Sequence, residues 1–344
     1  MSLPASMRAF VVDAPAEGKV AGQEVVCPTA GLPAQDTIVR VLYSSLNYKD
    51  ALAVQGHPGI VKKFPHIPGI DAVGEVVSSD RPDLVVGRQV LVTGYELGAG
   101  QWGGWAEYIR VPGDWVIPLP AGLTPFESMV LGTAGLTVAL SVYALGNNGV
   151  APESGPILVT GATGGVGCLA VSILAKLGYY VVASTGKAER KAWLQELGAA
   201  EVIDRQSLID TSGKPLLSGR WAGAIDSVGG DTLNTIIRSL RPNGCVAVCG
   251  LVGGTQIQTT VYPFLLRGVR VIGIDSAWCP LEKRRFLWRQ LATDWKPPTL
   301  EMIAHRITLK QIPAAVQALL DGQGYGRTVI DIAGQVNEAQ DHSA

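Results

Sequence analysis

The sequence has few of the residues that bind metals or form disulfides. Its 344 residues include five cysteines and four histidines, and no two cysteines form a C-x-x-C pair. An odd number of scattered cysteines is typical of reduced thiols that pack as small apolar side chains. The start of the chain also lacks a charged and then apolar export signal. We therefore expect a cytoplasmic protein without a disulfide framework.

The chain also lacks a charge of one sign. Its 28 basic and 29 acidic residues leave a formal net charge of −1, which gives no electrostatic bias toward nucleic acid or an anionic membrane. A hydrophobic fraction of 47% against 17% charged residues indicates a well-buried globular protein. At this length two domains are expected, and the expected partner is a small molecule.

One stretch without charge, residues 128–152, is long enough to suggest a transmembrane helix. Several glycine and hydroxyl residues interrupt it, however. The preceding T-P-F-E at 124–127 forms a capping box with proline at the first helical position. We predict a buried helix that joins two domains.

The first third of the chain consists of short strands between proline- and glycine-rich turns. No long helical period interrupts them, so residues 7 to about 120 form an all-β region, expected to be a partly open barrel. The predicted strands are 8–12, 37–44, 72–78, 89–93 and 105–111.

From residue 156 the pattern changes to apolar strands that alternate with amphipathic helices. This alternation predicts a doubly wound parallel sheet, and six strands suit a dinucleotide-binding domain. Two further helices and a last strand follow, and this strand is expected to return to the β-rich domain. The predicted strands are 157–160, 179–184, 201–204, 222–227, 245–250, 269–274 and 327–332; the helices are 187–197, 231–240, 280–293 and 310–321. The tail from Val336 is expected to fray.

A glycine-rich loop follows the first strand of this second region and leads into a helix, in the sequence I-L-V-T-G-A-T-G-G-V-G. Such a loop lets the backbone approach a pyrophosphate and presents helix N-terminal N–H groups to it. The alternative is that the glycines serve only tight packing. The predicted cofactor-binding residues here are Gly161, Thr163, Gly164, Gly165, Val166 and Gly167.

The end of the next strand decides between the two nicotinamide cofactors. An acidic residue normally lies there and binds the ribose 2′-hydroxyl of NAD. This chain has Ser184 and Thr185 instead, followed by Lys187 and Arg190. Two hydroxyls and two cations can bind a 2′-phosphate, although the cations could also be solvated helix residues. NADPH is the predicted cofactor.

The two-domain layout would also suit a zinc-dependent alcohol dehydrogenase. Catalytic zinc needs three Cys, His or acidic ligands, and a structural zinc usually needs four cysteines. No cysteine lies near Asn47 or within 95–110, and His57 and His66 lie in Pro/Gly loops without a nearby thiol. We expect no metal, so hydrogen bonds must polarise the substrate.

These features together resemble a known family, the medium-chain dehydrogenase/reductase superfamily. The resemblance is to its zinc-free quinone oxidoreductase branch, and within it to the acryloyl-CoA reductase subfamily. The motifs span nearly the whole chain, and N-Y-K-D is the most specific of them. They are S-L-N-Y-K-D at 45–50, P-G-I-D-A-V-G at 68–74, G-T-A-G-L-T at 132–137, G-G-V-G at 164–167, A-S-T-G at 183–186, G-I-D-S at 273–276 and G-R-T-V at 326–329.

The resemblance implies an α/β protein with a GroES-like β-rich catalytic domain, residues 1–125 and 275–344, and a Rossmann domain, residues 126–274. It also implies a homodimer, and a nicotinamide close to the Thr133 helix and to Gly250 and Leu251. In zinc-dependent relatives a cysteine replaces Asn47 and G-H-E replaces residues 69–71, which agrees with the absence of metal ligands.

The implied activity is NADPH-dependent reduction of a short enoyl-CoA such as acryloyl-CoA. Asn47 or the Tyr48 hydroxyl would stabilise the enolate, Tyr48 could relay a proton, and Asp50 would orient Lys49 or Tyr48. The alternative is a structural turn in which Asn47 caps a helix.

Two more residues have open roles. Thr133 could hold the nicotinamide amide or satisfy its own helix, and Arg327 could meet a cofactor phosphate or form a surface ion pair. At the level of the whole protein, reduction of quinones or enones and a non-enzymatic NADPH-binding role, structural or RNA-binding, are the alternatives.

Overall fold

The structure, a computed structural model, describes residues 3–14 and 20–334 and divides the chain into two compact units. The first unit comprises Met1–Thr133, Ala277–Arg285 and Leu300–Ala344, and the second comprises Ala134–Ser276 and Phe286–Thr299. The second unit thus includes a C-terminal segment that we assigned to the catalytic domain. Phe286 packs edge to face on Tyr143 there. The predicted frayed tail from Val336 lies outside the described residues.

The first unit is built on a mostly antiparallel sheet in the order β14-β15-β3-β4-β5-β7, with β6 paired to β3, and on a separate β1-β2 hairpin. Its N-terminal elements are β1 (Ser6–Asp13), β2 (Ala21–Pro28), β3 (Thr37–Leu46), α1 (Tyr48–Val54), β4 (Asp71–Ser79), β5 (Gln89–Thr93), β6 (Tyr108–Val111) and β7 (Ile117–Pro118). The five predicted strands are present. Strand β2 was missed because it is mostly solvent-facing and carries few alternating apolar residues.

The second unit is a six-stranded parallel sheet in the order β10-β9-β8-β11-β12-β13. In sequence terms this is the order 3-2-1-4-5-6 of a Rossmann domain, as predicted. Its elements are the part of α2 (Pro125–Asn147) from Ala134 onward, β8 (Ile157–Val159), α3 (Gly165–Lys176), β9 (Val181–Thr185), α4 (Lys191–Glu196), β10 (Glu201–Asp204), β11 (Trp221–Asp226), α5 (Gly230–Ser239), β12 (Leu240–Val248), α6 (Tyr262–Arg267) and β13 (Arg270–Gly273).

The C-terminal segment returns to the first unit, as predicted. Strand β15 pairs antiparallel with β3 and parallel with β14. The remaining elements are α7 (Leu281–Ala292), α8 (Leu300–Ile303), β14 (Ala304–Thr308), α9 (Ile312–Leu320) and β15 (Arg327–Asp331). The core of the first unit is formed by apolar residues of both chain ends, such as Val41 and Ile330.

The long apolar helix α2 begins in the first unit and continues in the second. Its length and composition would suit a membrane span, but 72% of its most apolar window is buried within the protein. This burial fits the predicted core helix. The helix is interrupted at Gly132, whose backbone is non-helical with φ 51° and ψ −152°.

Candidate active site

Three neighbouring strands of the first unit bring a set of polar residues together. In β3, Leu46 lies opposite Thr328 of β15, and Ser44 lies opposite Ala72 of β4. The residues next along the chain are therefore neighbours as well: Asn47 lies near Arg327, and Ser45 lies near Asp71. The polar corner at this sheet end consists of Ser45, Asn47, Asp50, Asp71, Thr133 and Arg327, and each of these residues belongs to the first unit.

Asp71 is the common acceptor of this polar corner, and it is fully buried. Its Oδ2 accepts hydrogen bonds from Ser45 Oγ at 2.6 Å and from Asn47 Nδ2 at 2.8 Å. Its Oδ1 accepts from the Thr133 hydroxyl at 2.6 Å, and the Thr133 backbone N–H donates to the carboxylate at 3.0 Å. A buried carboxylate needs such donors to remain charged.

Asn47 is the N-cap residue of α1, and both of its amide hydrogens serve the fold. Besides Asp71, its Nδ2 contacts Asp50 Oδ2 at 3.2 Å and Ser45 Oγ at 3.2 Å. Its Oδ1 accepts from Arg327 Nη1 at 3.1 Å. The amide is therefore committed to the polar corner. This geometry leaves no amide hydrogen for the predicted role of Asn47 as an enolate donor. Asn47 stands at the N-cap position of the alternative, but its side chain makes no cap hydrogen bond, and the Asp50 carboxylate accepts from its backbone N–H instead.

Asp50 also has a different role from the predicted one. Its carboxylate accepts from the backbone N–H groups of Asn47, Gly69 and Ile70 at 2.8–3.1 Å. It therefore ties the start of α1 to the turn before β4, and among the described residues it forms no hydrogen bond with the side chain of Lys49 or Tyr48. Burial, and next the charge of Asp71, raise the pKa of Asp50 to about 7, against the effect of its N–H donors.

Arg327 is buried, so the alternative of a surface ion pair is wrong. Its guanidinium donates to the carbonyls of Val130 and Leu46 at 2.9 and 3.3 Å, and to Ser45 Oγ at 3.1 Å. Nη2 lies 3.9 Å from Asp71 Oδ2. We predicted that this side chain could meet a cofactor phosphate. Its guanidinium instead donates to these groups of the first unit.

Tyr48 differs from its neighbours because its side chain faces solvent. It is the first residue of α1 and is 46% exposed. Within the described part of the chain, no side chain or carbonyl forms a hydrogen bond with its hydroxyl. The phenol therefore keeps its hydrogen-bonding capacity for other groups, and the role of Tyr48 as a donor stays a prediction. By contrast, the imidazole Nδ1 of the exposed His57 accepts a hydrogen bond from the Gly59 backbone N–H at 3.1 Å.

Thr133 follows the break in α2, and its hydroxyl proton is already used by Asp71. The oxygen can therefore act only as an acceptor toward a further group, such as a carboxamide N–H. The predicted contact with the nicotinamide amide remains a prediction. In the alternative, the Thr133 hydroxyl would bond within its own helix. The hydroxyl instead donates to Asp71, which lies outside that helix.

The glycine-rich loop of the second unit lies where the order of the strands reverses, between β8 and β11. Gly161 has φ 58°, and a Cβ there would lie 2.6 Å from Ser227 Oγ. A Cβ on Gly167 would lie 2.2 Å from the Gly161 carbonyl oxygen, so α3 packs directly on the loop. Gly164, Gly165 and Val166 remain partly exposed at the start of α3. The loop therefore offers helix N-terminal amides at the switch point of the sheet.

The predicted 2′-phosphate site lies at the end of β9. Thr185 Oγ1 accepts from the Lys187 backbone N–H at 3.0 Å and lies 3.5 Å from Thr163 Oγ1. The side chains of Lys187 and Arg190 are half-buried. Burial lowers the pKa of Lys187 from its usual value of 10.5.

Sequence reasoning missed a third cation at this strand end. A Cβ on Gly186 would lie 2.7 Å from Arg205 Nε, so the Arg205 side chain lies over the turn. It forms no salt bridge or hydrogen bond with the residues that the structure describes. The position of Arg205 follows from the parallel pairing of β10 with β9. In this pairing Asp204, the residue before Arg205, is the partner of Thr185.

A cavity of about 560 Å³ lies at the carboxyl ends of β12 and β13 and the start of α5. This volume is typical of small-molecule sites. Its wall includes Gly250 and Leu251, which we predicted to contact the nicotinamide. A Cβ on Gly250 would lie 2.2 Å from the Ser227 carbonyl oxygen, so glycine is required for this close packing.

Comparisons with known proteins agree with these features. Residues 33–121 match the alcohol dehydrogenase GroES-like domain, and residues 165–285 match the zinc-binding dehydrogenase family. The acrylyl-CoA reductase AcuI of Ruegeria pomeroyi is 41% identical over 325 residues, which cover 94% of this chain and 98% of that protein. The chain belongs to the medium-chain dehydrogenase/reductase superfamily. Within it, the similar proteins are acrylyl-CoA reductases and quinone oxidoreductases.

Two solved members of this superfamily contain a nicotinamide cofactor. The yhdH oxidoreductase of Salmonella enterica in complex with NADP is 42% identical, with a TM-score of 0.92 over 95% of this chain and all of that one. The Bacillus subtilis protein yhfP with NAD bound is 44% identical, with the same TM-score and coverage. YhfP is provisionally named a quinone oxidoreductase. The prediction of a nicotinamide cofactor agrees with both complexes.

Members of the superfamily that use zinc need thiol, imidazole or carboxylate ligands. The polar corner of this member does not fit that metal. Its amide and carboxylate groups already accept or donate hydrogen bonds, and the Arg327 guanidinium lies 3.9 Å from Asp71. Within residues 3–14 and 20–334, no three His, Cys, Asp or Glu side chains form a metal-binding group.

Proposed function

We propose that this protein is an NADPH-dependent reductase of an activated C=C bond, with acryloyl-CoA as substrate and propanoyl-CoA as product. The observation that carries the proposal is the exposed, partnerless hydroxyl of Tyr48 beside the polar corner. The relatives named acrylyl-CoA reductase support the choice of substrate. When bound, the nicotinamide supplies a hydride for the β-carbon of the thioester.

The protein must stabilise the negative charge that this hydride addition produces, and it must supply a proton. Negative charge develops on the thioester oxygen, and the α-carbon must gain a proton. The Tyr48 hydroxyl can donate a hydrogen bond to the oxygen or the proton to the carbon. Asn47, Asp50 and Asp71 hold the start of α1, which carries Tyr48.

Steady-state kinetics with acryloyl-CoA and with a simple quinone test this proposal. Protonation of an enolate at carbon is slow without a positioned acid, whereas a hydroquinone oxygen is protonated readily by water. We therefore expect Tyr48→Phe to lower kcat for acryloyl-CoA far more than for the quinone. The exposed Tyr180 in the second unit offers a matched control, Tyr180→Phe. Equal kcat losses with both acceptors would favour the quinone oxidoreductase function.

The choice of NADPH over NADH rests on the end of β9. Ser184, Thr185, Lys187 and Arg190 provide hydroxyls and cations where an NAD-binding domain has an acid. We expect NADPH to bind more than about tenfold tighter than NADH, a difference of about 1.4 kcal/mol or more. Replacing both Lys187 and Arg190 by alanine should remove this difference. An unchanged ratio of dissociation constants, measured by fluorescence titration, would contradict the assignment.

A homodimer is the proposed assembly, as the resemblance implies. Strand β13 is one of the two edge strands of the six-stranded sheet, and Val271 on it is 36% exposed. The nearby helix α6 exposes Leu265 and Leu266 by 76% and 65%. Apolar side chains on an open sheet edge favour self-association. Light scattering should give twice the chain mass, and Leu265→Glu should reduce it; a monomeric wild-type protein would contradict the proposal.

The proposed location is the cytoplasm. All five cysteines are free thiols, as expected in a reducing compartment. Cell fractionation tests this, and recovery of the protein outside the cytoplasm would contradict it.

A further inference from the structure

Asp71 connects two separate parts of the first unit through one buried carboxylate. The end of β3 contributes donors from Ser45 and Asn47, and the turn after the break in α2 contributes the backbone and hydroxyl of Thr133. The side chain has no solvent exposure. The loss of one hydrogen-bond partner here should therefore lower the free energy of unfolding strongly, because the remaining polar group stays buried and unpaired.

Asn47 links Asp71 to Tyr48, because its side chain contacts Asp71 and Tyr48 is the next residue in the chain. The amide nitrogen of Asn47 is held by Asp71 on one side, and its amide oxygen is held by Arg327 on the other. This pair of contacts also fixes which way the amide faces, since an exchange of N and O would place like groups together. Helix α1 has only seven residues, so its start depends on this anchor.

We propose that Asp71 is a positioning residue for proton transfer: through Asn47 it fixes the start of α1, so that the Tyr48 phenol meets the substrate carbon. The inference rests on the proposed role of Tyr48 as the donor. It predicts that Asp71 contributes to turnover only when that phenol is present. Asp71 itself contacts no reacting atom.

A double-mutant cycle tests this dependence. In the wild-type background, Asp71→Asn keeps the shape but replaces one acceptor oxygen by a donor. We expect it to lower kcat for acryloyl-CoA by about tenfold or more, because a displacement of about 1 Å can cost about a hundredfold. In the Tyr48→Phe background the same change should lower kcat by less than about twofold. Equal losses in the two backgrounds would overturn the proposal.

A matched control separates positioning from general destabilisation. Ser44 is equally buried, and its hydroxyl donates to the Asp71 backbone carbonyl at 2.6 Å. Ser44→Ala should therefore lower stability while it leaves kcat unchanged. If Asp71→Asn fails to fold, Arg327→Lys takes its place in the cycle. Lysine cannot reproduce the fork that holds both Asn47 and Ser45.

Amide hydrogen exchange gives a measurement that needs no turnover. The backbone N–H groups of Asp50 and Ala51 donate to the Asn47 carbonyl, so their exchange reports how firmly Asn47 is held. Asp71→Asn should accelerate their exchange, and Ser44→Ala should not. If wild-type protein does not reduce acryloyl-CoA, the proposed function fails while this measurement still tests the anchor. Unchanged exchange in Asp71→Asn would overturn the anchor itself.

Discussion

The break in helix α2 allows a quantitative test of the polar corner. Gly132 has φ 51° and ψ −152°, in a region that only glycine adopts readily, and the backbone cost for another residue is about 1–3 kcal/mol. A Cβ at this position would lie 2.5 Å from Asp71 Oδ2 and 3.0 Å from Arg327 Nη2. Overpacking of a buried site costs about 1–3 kcal/mol more. We therefore expect Gly132→Ala to lower the free energy of unfolding by about 2–6 kcal/mol.

The same helix contains a matched control. Gly146 lies near the end of α2, and a Cβ there would meet no atom within 4 Å. Gly146→Ala should stabilise the protein by about 0.5–1 kcal/mol, because alanine loses less conformational entropy in a helix. Urea unfolding followed by circular dichroism measures both variants. A Gly132→Ala midpoint at or above that of the wild type would refute the reasoning.

Three further predictions concern the cofactor, pH and metal. Arg205→Ala should reduce the NADPH-to-NADH affinity ratio by about tenfold, the value of one charge-assisted hydrogen bond, whereas the exposed Lys176→Ala should not; fluorescence titration decides. Because burial raises the folded-state pKa of Asp50 from 3.8 to about 7, its contribution to stability is complete below pH 3.8 and is lost as the pH rises through 7. Unfolding measured from pH 4 to 8 should therefore show a decline that Asp50→Asn flattens, and parallel curves would contradict the assignment. Elemental analysis should find no stoichiometric zinc, and chelators should leave turnover intact; loss of turnover on chelation would contradict the reading of the polar corner.

The sequence predicted those parts of the fold and site that are determined by residues close together in the chain. The strand, glycine loop and helix around Gly161 and Gly167 were visible because their spacing is fixed within one short segment. The missing acid at the end of β9 was visible for the same reason. The cap at Asn47 was considered only as the alternative, although Asp50 stands three residues later, as in a capping box.

The polar corner depends instead on contacts between distant segments. Arg327 and Asn47 are 280 residues apart in the chain, and only the register of β15 on β3 brings them together. The sequence alone does not specify that register. Arg205 was missed for a similar reason, since its position over Gly186 follows from the pairing of β10 with β9. The burial of Arg327 likewise could not be inferred from its own neighbours.

The most direct test of the proposed reductase is the turnover of acryloyl-CoA with NADPH by the wild-type protein and Tyr48→Phe. We expect the wild type to form propanoyl-CoA, and the variant to lose about tenfold to a hundredfold in kcat with little change in the KM for NADPH, because water replaces the phenol only partly as the acid. Absence of wild-type turnover, or a Tyr48→Phe variant with the kcat of the wild type, would contradict the account.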